Sequence, residues 1–164
     1  GHVIVANYNA PGQIVISGAQ RALELACELA RARGAKRVMP LAVSGAFHSP
    51  VMQPAANALA STLQQIELRD PTVPIISNIT ATPLTSAQDL HNELAEQVAT
   101  SVQWVRTIEY MVSQGVNTFI EIGPSQALSG MVKRIAKGVT LLNIGKAAEV
   151  TSVAARVREM DLVE

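Results

Sequence analysis

Hydrophobic positions along the chain alternate between two spacings. Residues 3–8, VIVANY, are β-prone, and NAPGQ then supplies turn residues. A second short strand is predicted at IVIS (14–17), ended by Gly18. From Ala19 to Arg33, AQRALELACELARAR combines strong helix formers with apolar residues at helical spacing, and Gly34 stops it. KRVMPLAV follows as a further predicted strand, broken at Pro40. Residues 1–40 therefore read as β-turn-β-α-β, on the scale of a small subdomain.

A loop around His48 comes next. Residues 51–66 (VMQPAANALASTLQQI) are amphipathic and predicted helical, with Pro54 in the first turn, where its missing N–H is harmless. TVPIISNI reads as a strand, and TSAQDLHNELAEQVA as a helix with Thr85 or Ser86 as N-cap. WVRTIEYMVSQG is a helix closed by Gly115, NTFIEI a strand, and GPSQALSGMVKRIAKG a turn and helix. VTLLNIG is the last strand, and the tail from Ala147 is predicted helical. This alternation predicts an α/β protein with a mostly parallel sheet covered by helices. No internal repeat or low-complexity segment interrupts it.

Composition narrows the reading. The chain has 164 residues, 48% of them hydrophobic and only 3% aromatic, enough for one domain packed with Ala, Val, Ile and Leu. Lys plus Arg equals Asp plus Glu at 13 each, which gives no nucleic-acid footprint. The clusters at 36–37 and 132–137 are small basic patches, able to meet an acidic partner. The single cysteine, Cys27, excludes an intrachain disulfide and fits a reducing, cytoplasmic setting. It reads as packing on the apolar side of a helix. No apolar run is long enough to span a bilayer, and the start lacks a signal-peptide pattern. Gly1 and His2 lead straight into an apparent strand with no initiator Met, so a piece of a longer polypeptide is expected.

Candidate chemistry centres on VSGAFHSPVM (43–52), which holds His48, one of three histidines. It follows a predicted strand, and parallel α/β sheets carry their sites at the carboxyl ends of strands. Imidazole can take and return a proton near neutral pH, as acyl transfer through a serine or cysteine requires. The bland alternative is a loop histidine bonded to the backbone. The nearest nucleophile pattern is GPSQA, in which Ser125 loosely imitates a G-x-S-x-G elbow, with Ala127 in place of the last Gly. Pro124 is awkward there, and a cap on the following helix is the favoured role for Ser125. Ser44 and Ser49 flank His48 too closely in sequence to serve it. His2, His48 and His91 are far apart in sequence and Cys27 has no ligand-spaced partner, so no metal site is expected. Neither a P-loop nor G-x-G-x-x-G is present, and no cofactor is expected.

ANYNAPGQIVISG, VSGAFHSPVM, PIISNIT, the spacing of Gln97 and Trp104 around VQW, and EIGPSQALSGMVKR occur in this order. Together they resemble the malonyl-CoA:acyl carrier protein transacylase family from about residue 3 to residue 145. The family's N-terminal GQG loop, GHSxGE nucleophile elbow and malonyl-gripping Arg have no match here, so the chain resembles the C-terminal half. The resemblance implies the C-terminal part of an α/β-hydrolase-like core (41–164) and half of a ferredoxin-like subdomain (1–40).

It also implies roles. His48 is the expected catalytic base, oriented by the backbone carbonyl at Gln97 in place of a carboxylate. Asn7 and Asn9 match positions near the acyl-CoA pocket. Phe47, in the AFH form of the loop, accompanies malonyl preference, and a phenyl ring there gives a steric reason to exclude an α-methyl branch. The implied reaction moves malonyl from malonyl-CoA to the phosphopantetheine thiol of acyl carrier protein through a malonyl-serine ester. The implied partners are malonyl-CoA, acyl carrier protein and the missing N-terminal half, with no nucleic acid, no membrane and no activity for the piece alone. Alternatives are an acyltransferase domain of a polyketide synthase, a serine hydrolase using Ser125 and His48, and a non-catalytic carrier-protein-binding module.

Overall fold

The hairpin expected at the start of the chain forms as β1 (Val3–Ala10) and β2 (Gln13–Gly18), joined at Pro11–Gly12. The computed structural model describes residues 1–161. The register slips between Val5 and Asn7 and again between Tyr8 and Ala10, so β1 carries two irregularities. The free edge of β1 meets a segment from much later in the chain. Tyr8 N–H donates to Val102 O (3.0 Å), Val102 N–H to Ala6 O (2.7 Å) and Ser101 Oγ to Val5 O (2.6 Å).

Helix α1 (Gln20–Ala32) ends as its sequence predicts. Gly34 N–H bonds Arg31 O and Ala35 N–H bonds Ala30 O, a Schellman close that needs the left-handed φ of 86° at Gly34. Gly115, with φ 89°, closes the later helix α4 (Trp104–Ser113) by the same pair of bonds. The strand expected at 36–43 does not form. Pro40 has no N–H to give a ladder, and no neighbouring strand lies against this segment among the described residues. Its alternating apolar side chains, Met39, Leu41 and Val43, are all exposed.

A single 3₁₀ turn (Pro50–Met52) precedes α2 (Gln53–Leu63), and Pro54 sits in the first turn, as expected. The strand expected over TVPIISNI shrinks to β3 (Ile75–Ile76), paired antiparallel with the unforeseen β4 (Pro83–Leu84). Helix α3 (Ala87–Glu96) starts at a capping box: Ser86 Oγ accepts Asp89 N–H while Asp89 accepts Ser86 N–H.

Two compact units divide the chain, one ending at Thr107 and the other beginning at Ile108, within α4. The second unit contains β5 (Thr118–Ile122), α5 (Ala127–Ile135), β6 (Thr140–Ile144) and α6 (Val150–Asp161). β5 and β6 pair in parallel with α5 as the crossover, a βαβ unit. The fold is therefore mixed α/β with small open sheets and several helices. Of the three described strand pairs, only this one is parallel.

Candidate active site

The last carbonyls of a helix have no partner within it and are free to bind something else. Just past the end of α3, the carbonyls of Gln97 and Val98 likewise have no helical partner and bind His48. The His48 backbone N–H donates to Val98 O at 2.8 Å, and its ring Nδ1 lies 2.8 Å from Gln97 O. A carbonyl can only accept, so Nδ1 carries a proton, and in the neutral ring Nε2 is the nitrogen with the free lone pair. The structure thus brings together two of the residues singled out in the sequence, His48 and Gln97.

The loop is shaped to deliver that ring. His48 has φ 58°, a left-handed conformation unusual for a residue with a β-carbon. On its C-terminal side, Ser49 is fully buried and its Oγ donates to Ala46 O at 2.6 Å. Ser49 O accepts Met52 N–H at 2.9 Å, which begins the 3₁₀ turn at Pro50. His48 itself is half-buried, and Phe47 beside it is 45% exposed.

Two side chains that sequence reasoning missed, the Glu93 carboxylate and the Asn78 amide, join this end of α3 to the 77–79 turn. Glu93 accepts Ser77 Oγ (2.6 Å), Asn78 N–H (2.8 Å) and Ile79 N–H (3.3 Å). One turn later, Gln97 Oε1 accepts Asn78 Nδ2 at 3.2 Å. Glu93, in the last turn of α3, and Gln97, its C-cap, are four apart and share a face, which explains why both reach the 77–79 turn. TVPIISNI reads as a strand because nothing local announces a carboxylate arriving from 15 residues away.

The two asparagines expected near an acyl-CoA pocket lie on β1, both half-buried. The backbone at Asn7 bridges Val102, five residues beyond Gln97, and Asn9 falls at the second register slip.

Ser125 lies in the second unit. It does not cap α5. The N-cap position is Gln126, with no side-chain cap bond. The free N–H groups of α5 go instead to Glu121 at the end of β5: Ser129 N–H at 2.7 Å and Leu128 N–H at 3.2 Å. A carboxylate outcompetes a hydroxyl there because it serves two donors and carries the charge a helix N-terminus favours. Ser125 Oγ makes two long contacts, accepting Ala127 N–H at 3.4 Å and donating to Glu121 Oε1 at 3.4 Å. The Ser129 N–H, aided by its hydroxyl and by Leu128 N–H and against some burial, holds the Glu121 carboxyl below its ordinary value. An acidic residue between two isoleucines in the strand NTFIEI was the available signal.

No group of three or more His, Cys, Asp or Glu among the described residues could hold a metal ion. Nor is any of their helices long and apolar enough to cross a membrane.

A half-buried imidazole held by a main-chain oxygen, on an α/β scaffold, is an arrangement able to take and return a proton. The chain belongs to the acyl transferase domain family, whose model matches residues 1–159. It is 48% identical to a malonyl CoA-acyl carrier protein transacylase of Bacillus subtilis over 133 residues, 81% of this chain and 42% of that protein. The corresponding protein of Haemophilus influenzae is 38% identical over 93% of this chain and 49% of its own length. Among solved structures, the malonyl CoA-acyl carrier protein transacylase of Clostridium perfringens superposes with a TM-score of 0.91 at 40% identity, covering 99% of this chain and 51% of that one. A malonyl-transacylase solved in complex with its type II PKS acyl-carrier protein matches with a TM-score of 0.87 at 37% identity, over 92% of this chain and 49% of that one. The chain spans about half the length of the curated relatives it matches.

Proposed function

We propose that this chain is the C-terminal half of a malonyl-CoA:acyl carrier protein transacylase and supplies its general base, His48. The observation that carries this is the 2.8 Å contact between His48 Nδ1 and Gln97 O. It leaves Nε2 as the atom that handles protons. The nucleophilic serine and the arginine for the malonyl carboxylate belong to the N-terminal half.

The chemistry follows from one basic nitrogen. Nε2 removes the proton of the serine hydroxyl as its oxygen attacks the thioester carbon of malonyl-CoA. When the C–S bond breaks, the departing CoA sulfur takes that proton back from Nε2, leaving a malonyl-serine ester. In the second half, Nε2 takes the proton of the carrier protein's phosphopantetheine thiol. The sulfur attacks the ester carbon, and the serine oxygen leaves with the proton. Through both halves Nδ1–H donates to Gln97 O, whether the ring is neutral or protonated, so the ring need not turn.

The names of the relatives support malonyl-CoA as donor and acyl carrier protein as acceptor. On the same reading, residues 1–40 form half of a ferredoxin-like subdomain and 41–164 part of an α/β-hydrolase-like core. The site operates in the cytoplasm, Asn7 and Asn9 line the acyl-CoA pocket, and the 164-residue chain alone transfers nothing.

The test is malonyl transfer from CoA to carrier protein by the complete polypeptide that carries this chain. His48→Ala is expected to lower turnover at least about 100-fold. Ser125→Ala is expected to leave it unchanged. Near-normal turnover in the first variant would remove the proposal, and loss in the second would favour a hydrolase-like pair of Ser125 and His48.

A further inference from the structure

We infer that Asn78, seated by Glu93, is a positioning residue for the His48 base and acts through the side chain of Gln97. The inference rests on the reading of His48 as base and adds the device that keeps its acceptor in place.

A main-chain carbonyl selects a tautomer only if its peptide plane holds still. Gln97 is poorly placed for that. It is the residue just past α3, where the helix has stopped and only a turn follows. Helix ends fray. Its N–H still donates to Glu93 O at 2.9 Å, and beyond that what ties Gln97 down is its own side chain, whose Oε1 accepts from Asn78 Nδ2 at 3.2 Å. One residue therefore reaches two ways, with its side chain to Asn78 and its main-chain oxygen to His48.

Asn78 can anchor it because its own backbone is held on both sides. Its N–H donates to Glu93 Oε1 at 2.8 Å, and its carbonyl accepts Gln103 N–H at 2.7 Å. The residue before it, Ser77, is 1% exposed, and its Oγ accepts the N–H groups of Ile79 (3.0 Å) and Thr80 (2.8 Å) while donating to Glu93. Glu93 stands in the last turn of α3, where a carboxylate meets the unfavourable end of the helix dipole. Three donors from the 77–79 turn offset that cost. Its placement serves the turn that presents Asn78.

The experiment uses the complete polypeptide with Asn78→Leu, Gln97→Met and the double variant. Both substitutions keep approximate shape and remove the side-chain bond, and Gln97→Met retains the main-chain oxygen. Each single variant is expected to lower kcat about 10- to 100-fold through misplacement of the base, with KM for malonyl-CoA unchanged. The double variant is expected to lose no more than either single one. Nitrogen-15 spectra of the His48 ring are expected to show one Nδ1–H form in the parent and a mixture with the Nε2–H form in the variants. A folded variant with parental kcat and a pure Nδ1–H ring would overturn the inference, as would losses that add. If Asn78→Leu fails to fold, Gln97→Met alone decides by the same two readouts. Normal turnover in His48→Ala would instead remove the reading of His48 as base, while the ring spectra would still report whether Asn78 and Gln97 set its tautomer.

Discussion

His48 Nδ1 and the main-chain oxygen of Gln97 lie 2.8 Å apart across 49 residues of sequence. The adjoining carbonyl, Val98 O, holds the His48 backbone N–H at the same distance. Two successive carbonyls past the end of α3 thus fix both the backbone and the ring of one residue. A carboxylate partner would bring a second titrating group to the ring. A carbonyl brings direction without a proton of its own.

The left-handed backbone of His48 (φ 58°) separates its structural cost from its chemistry. Such a conformation costs an ordinary L-residue about 1–2 kcal/mol, and Asn tolerates it better than most. In the complete polypeptide, His48→Asn is therefore expected to melt no lower than His48→Val while both lose malonyl transfer. Thermal unfolding followed by circular dichroism checks the order. An Asn variant melting well below the Val variant would contradict the strained-loop account.

Legibility in the sequence followed the range of the interactions. α1 and α3 were readable because their stop and start signals, Gly34 and Ser86, lie within a turn of the helix. The segment 36–43 has a strand's alternation but no neighbour to pair with, and alternation alone cannot supply a ladder. β4 is two residues long and has no period to read. At the site, residue chemistry pointed to His48 but not to its acceptor, because a backbone carbonyl has no side-chain signature. Only the family resemblance pointed to Gln97. Asn78 and Glu93 escaped both routes. The expected Ser125 cap failed because proximity in sequence favoured a hydroxyl, whereas the fold delivers the Glu121 carboxylate from the preceding strand.

Ser49 is fully buried and spends its hydroxyl on Ala46 O, at 2.6 Å. Removing that hydroxyl leaves a carbonyl without its donor, at a cost of about 1–3 kcal/mol. Ser49→Ala is expected to lower the urea midpoint with the slope of the transition unchanged. Ser44→Ala, at an exposed position of the same loop, is expected to have no effect. Equal midpoints for the two variants would mean that the Ser49 bond does not brace the loop.

Glu121 ties β5 to the start of α5, and the N–H of Ser129 above all holds its carboxyl below the ordinary value of 4.5. A folded-state value lower than the unfolded one gives stability that is complete above about pH 4.5 and lost as pH falls through the folded value. Glu121→Gln cannot titrate, and its amide NH₂ faces donors where an acceptor stood. The variant is expected to melt lower than the parent at pH 7, with the gap closing below pH 4.5. Asp89, lowered by the Ser86 N-cap bond and Thr85 N–H, titrates in the same region in both proteins and cancels from the difference. A gap that stays constant from pH 7 to pH 3 would exclude this role for the charge.

Phe47 offers the last test, of acyl choice. Its ring lies across Gly45: a β-carbon on Gly45 would stand 3.2 Å from Phe47 Cε2 and 3.6 Å from the sulfur of Met52. The bare glycine is what lets the ring lie there, one residue before the proposed base. If the ring excludes an α-methyl branch, shrinking it and displacing it should act alike. Phe47→Ser in the complete polypeptide is expected to raise the ratio of methylmalonyl to malonyl transfer about tenfold, the scale of one methyl group in an apolar pocket. Gly45→Ala, which pushes the ring aside without removing it, is expected to move the ratio in the same direction by less. Competition between the two acyl-CoA donors, read by mass spectrometry of the carrier protein, measures the ratio directly. A ratio unchanged in Phe47→Ser would remove Phe47 from acyl selection and leave the loop with the single task of presenting His48.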